Sequence, residues 1–322
     1  SAGCGRTDLK ALPIVRVLLS YVPCFESWRS RGTGGSDSAR YCYAVWMRHL
    51  VKAAESGLDT SPRTVAELGP GDSLGLGLAA LLSGARRFVA LDVIEHAATE
   101  TNLRVLAELE RLFAQRSPIP DDREFPEIGP DRDSYECPHH LLSDERLAQS
   151  LEERRVAQIR DSTARPQRGE SMIRYVAGWS DRAILEEASV DMLCSQAVLE
   201  HVQDLSGVYR AIARWLRPGG FASHQIDLRS HGLSADWNGH WAISRPVWRL
   251  IVGRRRYLLN RAPCSVHLDH IRGSGLIPRS VVRQHRVSAV RRRQLAAPYR
   301  GISDEDLETS GLFVQAQRPV DQ

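Results

Sequence analysis

Residues 64–75 read Thr64-Val65-Ala66-Glu67-Leu68-Gly69-Pro70-Gly71-Asp72-Ser73-Leu74-Gly75. The first five predict a short buried strand. The glycines behind them predict a sharp turn into the apolar run 76–82, which predicts a helix. Glycine at such a turn lets the backbone bend tightly and approach a ligand with no Cβ in the way. Outward from this stretch, 87–91 predicts a second strand ending at Asp92, and 98–113 a long amphipathic helix. Asp92 lies 21 residues beyond Gly71, at a strand tip where its carboxylate can accept both hydroxyl hydrogens of a ribose.

Strands resume at 173–177 and 190–194. A helix over 205–216, the turn Pro218-Gly219-Gly220 and a strand at 221–228 follow, with a last pair of strands near 281–287 and 312–317. Strands alternating with helices predict a Rossmann-like α/β fold: a seven-stranded, mostly parallel sheet with helices on both faces. Residues 1–63 predict an N-terminal helical segment, with Tyr41, Val45 and His49 at helical spacing and a Gly-rich break at 32–35. Residues 64–322 then form the ligand-binding domain, with two insertions. One, at about 115–170, is Pro-rich and acidic and then carries a charged helix near 144–160; the other, at about 229–275, is rich in Trp, His and Arg.

The 322 residues, 42% hydrophobic and 25% charged, exclude wholesale disorder. The apolar stretch 12–19 is cut by Pro13 and Arg16 and is too short to span a bilayer. Six scattered cysteines (Cys4, Cys24, Cys42, Cys137, Cys194, Cys264) form no CxxC and no Cys/His grouping. They read as reduced, cytoplasmic thiols, with no structural metal expected. Lysine occurs only at Lys10 and Lys52, so 41 of the 43 basic residues are Arg. A coding bias explains that better than nucleic-acid chemistry, and the clusters 254–256 and 291–293 read as solvated faces. Neither a nucleic acid nor a membrane is an expected partner.

A dinucleotide fingerprint needs G-x-G-x-x-G, so that a pyrophosphate can sit on the helix N-terminus. Here three residues separate Gly71 from Gly75, and Asp72 stands where the phosphate would approach. An acidic loop repels a diphosphate but suits a sulfonium and an α-amino group, which favours S-adenosylmethionine (SAM) over NAD.

Glu67-x-Gly69-x-Gly71, Asp92, Ser195-Gln-Ala-Val-Leu-Glu-His201 and Leu216-Arg-Pro-Gly-Gly220 resemble the successive motifs of class I SAM-dependent methyltransferases, over about 64–227 and the last two strands. The resemblance implies that Glu67, Gly69, Pro70, Gly71, Asp72 and Ser73 hold the methionine part of SAM. It implies that Asp92, followed by Val93, holds the ribose, that Trp179 and Ser180 flank the adenine, and that Ser195 and Gln196 also contact the cofactor. Ser73 stands where many members have a third glycine, and its hydroxyl can still approach the cofactor carboxylate. Gly178-Trp179 replaces the commoner Asp after strand three. Tyr41-Cys42-Tyr43 with Trp46 and Arg48-His49, and His224-Gln-Ile-Asp227-Leu-Arg-Ser-His231, resemble bacterial methyltransferases of sugar and secondary-metabolite pathways, the gentamicin-type aminoglycoside N-methyltransferases among them.

Methyl transfer from a sulfonium is an in-line displacement. The protein orients the acceptor, which must be a neutral amine or a hydroxyl beside a base. His201, Asp227 and His231 are the candidate catalytic residues. His224 and Asp227 lie three apart on one strand and so face opposite ways; His224 is either a substrate contact or a core group. Glu200, Trp237, His240 and Trp241 are candidate substrate contacts, although the two Trp also read as a small hydrophobic core. Between Asp121 and Glu136 seven acids stand against Arg123 and Arg132. They form either a solvated loop or a lid that concentrates a cationic acceptor. The lid reading favours N-methylation of an amino sugar. The alternative is O-methylation of a secondary-metabolite sugar or polyketide. Methylation of nucleic acid is opposed by the want of an Asn/Asp-Pro-Pro-aromatic segment. Whether residues 1–63 cover the cofactor or pair with a second copy in a homodimer is left open.

Overall fold

The computed structural model of the chain describes residues 35–126, 128–166, 171–178, 184–255 and 257–320. Residues 1–34, together with Trp179 and Ser180, lie outside these, so the expectations placed on them are not taken further in structural terms. The elements in chain order are α1 (Ala39–Glu55), β1 (Thr64–Leu68), α2 (Gly75–Leu82), β2 (Arg87–Asp92), α3 (Thr99–Ala114), α4 (Asp144–Ser150), α5 (Glu153–Ala164) and β3 (Ile173–Ala177). They continue with β4 (Val190–Gln196), α6 (Leu205–Trp215), β5 (Leu216–Asp227), α7 (Arg245–Val252), α8 (Cys264–Gly273), β6 (Ile277–His285), α9 (Asp304–Leu307) and β7 (Thr309–Gln317).

The seven strands form one sheet in the order β3-β2-β1-β4-β5-β7-β6. Neighbours from β3 to β5 are parallel, and β7 runs antiparallel to both β5 and β6. The chain builds outward from β1 to β3 and then returns to lay β4 on β1's other side. Strand order therefore reverses between β1 and β4, where an open parallel sheet leaves a crevice at its carboxyl ends.

Two apolar layers cover the sheet. On one face Tyr43, Trp46 and Leu50 of α1 pack with Leu78, Phe88, Met192 and Phe221. On the other, Tyr209 and Trp215 of α6 and Leu268 and Ile271 of α8 pack with Leu193, Ala222 and Val314. Helix α1 is thus part of the main core. Ser38 caps it, its Oγ accepting the Tyr41 N–H at 3.4 Å. Two glycines set the spacing of this face. A Cβ at Gly75 would lie 2.4 Å from Cys42 Sγ, and one at Gly77 would lie 2.1 Å from the Phe88 ring.

The charged helix expected near 144–160 is two helices, separated at Leu151 and Glu152, where Glu152 takes ψ 134°. The Ser150 hydroxyl donates back to the Arg146 carbonyl at 2.7 Å, a local bond that competes with continuing the helix. The acidic insertion folds as a strap over α1. The buried Arg48 guanidinium donates to Pro120 O and to Asp122, both at 2.9 Å, and Arg40 pairs with Glu124 at 2.5 Å. Two smaller cores lie in the C-terminal third, one around Trp241, Val290, Leu295 and Leu307 and one around Leu233, Ile243, Trp248, Ile251 and Leu259. Among the described residues no helix is long and apolar enough to cross a membrane.

Gly77→Ala tests the α2–β2 spacing. The added methyl has no room beside Phe88, and we expect a loss of about 1–3 kcal/mol of stability from overpacking, read as a lower urea midpoint at unchanged m-value.

Candidate functional site

The crevice at the β1/β4 switch point is lined by Glu67, Gly69, Pro70 and Ser73 from the turn, Gln196 from the end of β4, and Ser36, Tyr41, Cys42 and Val45 from the entry to α1 and its first turns. Gly69 and Gly71 take φ of +63° and +73°, the left-handed region that side chains disfavour. At Gly69 a Cβ would also stand 2.7 Å from Val198, so the turn can hold only glycine there. The resulting bend directs the Gly71 N–H at the Asp92 carboxylate (3.4 Å), while the Val93 N–H donates to the other oxygen at 2.7 Å. Val93 itself is partly exposed beside it.

Glu67 is buried and its Oε2 has no hydrogen-bond partner. Burial, and then the charge of Asp92, pushes its carboxyl well above the usual range. Burial likewise raises Asp92, opposed by the N–H groups of Val93 and Gly71. A buried carboxyl with an open oxygen is costly in isolation and is relieved by a cation or donor brought to it.

The four liners from Ser36 to Val45 were not singled out as cofactor contacts in the sequence. Their signal was the helical stripe Tyr41, Cys42, Val45, which ends at His49. Ser36 engages the turn closely: the Asp72 N–H donates to its Oγ at 2.8 Å, and Ser73 Oγ donates to its carbonyl. The Ser73 hydroxyl, which lines the crevice, is thus tied to the N-terminal segment.

Beyond Gln196, the tip of β5 gathers the three candidate catalytic residues. Arg229 grips both oxygens of Asp227 (2.8 and 2.6 Å), His231 Nε2 stands 3.1 Å from Asp227 Oδ2, and the His201 ring lies 5.2 Å from that of His231. The bidentate arginine makes Asp227 an anchor for His231. Burial, then His231, lowers His201 to about 4, so it is neutral near pH 7, and its Nδ1 is unpartnered. Glu200 sits on the same one-turn helix (Leu199–His201), buried, with no side-chain partner and only the backbone N–H groups of Glu200 and Asp227 beside its carboxyl. Burial holds it well above the carboxylate range, and the charge of Asp227 adds to this. Tyr41 joins the two neighbourhoods: burial raises its hydroxyl to about 12, with contributions from both Glu67 and Glu200.

Other expected site residues lie elsewhere. Ser195 and His224 are buried on the α6 face of the sheet, Ser195 Oγ 2.8 Å from His224 Nδ1 and the Tyr209 ring against His224. Strand alternation sends them away from Gln196 and Asp227. Trp241 is fully buried, donating to Arg261 O at 3.0 Å; His240 packs 4.7 Å from it, and Trp237 donates to Val287 O at 2.9 Å. These three form the wall of a small core. The acids Asp122 and Glu124 are engaged by Arg48 and Arg40, so part of the acidic run is an internal tie. The strap also reaches the crevice, where Gln196 Nε2 donates to Ile128 O at 3.0 Å.

Residues 147–223 match the family model described as "Methyltransferase domain". Three solved structures are similar to this chain at low identity. A SAM-dependent methyltransferase from Mesorhizobium loti is 15% identical, covering 84% of this chain and 98% of that one, at a TM-score of 0.40. Geranyl diphosphate C-methyltransferase from Streptomyces coelicolor is 11% identical, covering 84% and 80%, at 0.41. Phosphoethanolamine N-methyltransferase 2 from Haemonchus contortus is 14% identical, covering 85% and 53%, at 0.40. At these scores the three say nothing about substrate. Among curated proteins no match to this sequence was found. The Rossmann-like sheet and the family match support one class of protein, the class I SAM-dependent methyltransferases. The match runs from α4 to β5; the glycine turn and Asp92 lie outside it.

Five buried imidazoles are depressed by burial from 6.5: His49 and His201 to about 4, and His224, His240 and His267 to about 3. Four carboxyls, Glu67, Asp92, Asp131 and Glu200, are raised and act in the opposite sense. Below pH 6.5 these imidazoles bind protons in the unfolded chain before the folded one, so their contribution to stability is lost as pH drops toward about 4. Denaturant midpoints across that window should fall steadily, and His224→Gln should flatten the slope.

Proposed function

We propose that this protein transfers a methyl group from SAM to an amino group of a small cationic acceptor, an aminoglycoside or other amino sugar of antibiotic biosynthesis. The observation that carries the cofactor reading is the unpartnered Glu67 oxygen, buried at the glycine turn beside Asp92. That pair fits the two polar ends of an adenosyl amino acid, Glu67 receiving the α-ammonium and Asp92 the ribose hydroxyls, with Gly69 and Gly71 allowing the close approach. SAM supplies a methyl on a sulfonium, open to in-line attack. The chain's own part is to bind and orient the acceptor, to exclude water, and to take the proton that the acceptor releases.

Glu200 supports the amine reading, since a buried carboxyl with no side-chain partner suits an ammonium arriving from the crevice. His201 favours the second reading, O-methylation: a neutral imidazole with an open Nδ1 can accept a hydroxyl proton. The buried free thiols Cys42, Cys137, Cys194 and Cys264 fit a reducing, cytoplasmic setting.

Calorimetry with SAM and its demethylated product tests the cofactor site. Both should bind, and Asp92→Ala should weaken each by roughly 1–3 kcal/mol, as for hydrogen bonds to a charged group. Binding should release protons as Glu67 ionises against the ammonium, and Glu67→Gln should abolish that release; absence of binding to the wild type overturns the assignment. Mass spectrometry of reactions with aminoglycosides and with neutral hydroxylated acceptors then separates the two chemistries. A single added methyl on the amines is expected, and gain of mass only on the neutral panel sinks the N-directed reading.

A further inference from the structure

We infer that α7 and the loop after it form a docking surface for an anionic phospholipid layer. From Trp237 to Leu268 the chain has no acidic residue and six arginines: Arg245, Arg249, Arg254, Arg255, Arg256 and Arg261. At sequence level the cluster 254–256 reads as a solvated face. The structure adds what a solvated face does not explain. Leu250 is 64% exposed, Tyr257 48% and Val247 37%, three large apolar side chains within eleven residues, among the exposed Arg245, Arg249 and Arg254.

The helix itself is amphipathic in an inverted way. Trp248 and Ile251 turn inward to a small core, and Arg261 lies 4.2 Å over the Trp248 ring and binds the carbonyls of His240 and Ile243. The inner face is therefore already satisfied. Val247 and Leu250, at i and i+3, stand together on the outer face. Basic side chains flanking protruding apolar ones match a surface that offers negative headgroups over hydrocarbon, where each Arg and each buried methylene adds to binding. A side chain as exposed as Leu250 protrudes instead of lining a groove, which favours a soft layer over a fitted protein partner.

The position of this surface links it to the candidate acceptor side. The loop after α7 runs into the turn that carries Glu200 and His201: Gln203 Nε2 donates to Leu258 O at 3.0 Å, and the Asn260 N–H donates to Glu200 O at 2.7 Å. A layer bound at α7 would lie beside the β5 tip.

Sedimentation of the full chain with vesicles of phosphatidylcholine, with and without phosphatidylglycerol, tests this. The wild type should bind the vesicles containing phosphatidylglycerol and not the neutral ones, and binding should weaken as salt rises. Arg249→Glu should lower the affinity by at least about fivefold, and Leu250→Asp by a similar factor. Far-UV dichroism and calorimetry with the demethylated cofactor should show both variants folded, with the cofactor site intact. Equal binding to neutral vesicles, no binding to either, or variants that bind like wild type each overturn the inference. A concentration-dependent dimer abolished by Leu250→Asp, without vesicle binding, would assign the face to a second copy and overturn it as well.

Discussion

The structure depends on one bend of backbone. Where β1 ends, the chain must pass Val198 with no room for a side chain and then turn through two left-handed residues, which Gly69 and Gly71 supply. That bend brings the Gly71 N–H to Asp92 across the gap between β1 and β2, and it opens the crevice over Glu67. Any Cβ at Gly69 would push the turn off the sheet and separate the two carboxyls. The helix that follows is held by the same economy of volume: Gly75 admits Cys42 of α1 and Gly77 admits Phe88 of β2.

Helix α1 is the second organising element. Its inner stripe places Tyr41, Cys42 and Val45 on the crevice, and its arginines fasten the acidic strap. Burying the Arg48 charge is costly, and the cost is offset because Pro120 O and Asp122 reach it, with the Tyr135 ring 5.4 Å away. The strap then returns to the sheet at Gln196. Crevice, helix and strap thus form one connected unit.

Much of this was legible in the linear pattern. Alternation of short apolar runs with amphipathic helices gave the sheet its strands, and the glycine turn with a carboxylate at the next strand tip marked the crevice. Asp227 and His231 come together because four residues beyond a strand end can fold back on it, and His201 reaches them from the one-turn helix after β4. What was hidden is pairing at a distance. Arg229 occupying Asp227, Ser36 occupying Ser73, and Arg40 and Arg48 occupying Glu124 and Asp122 involve partners whose meeting no local spacing encodes. The separation of 144–160 into two helices was hidden for a similar reason, since its charge pattern continues unbroken while Ser150 turns inward to the backbone.

The sequence by itself determined the order of elements, the glycine bend and the identity of the groups at the strand tips, because periodicity and steric freedom are local properties of the chain. Only the tertiary structure decided which of those groups remain open. Whether a carboxyl is tied by an arginine, as Asp227 is, or buried with its pKa pushed up, as Glu67 and Glu200 are, depends on what distant segments bring to it and on how completely they exclude water.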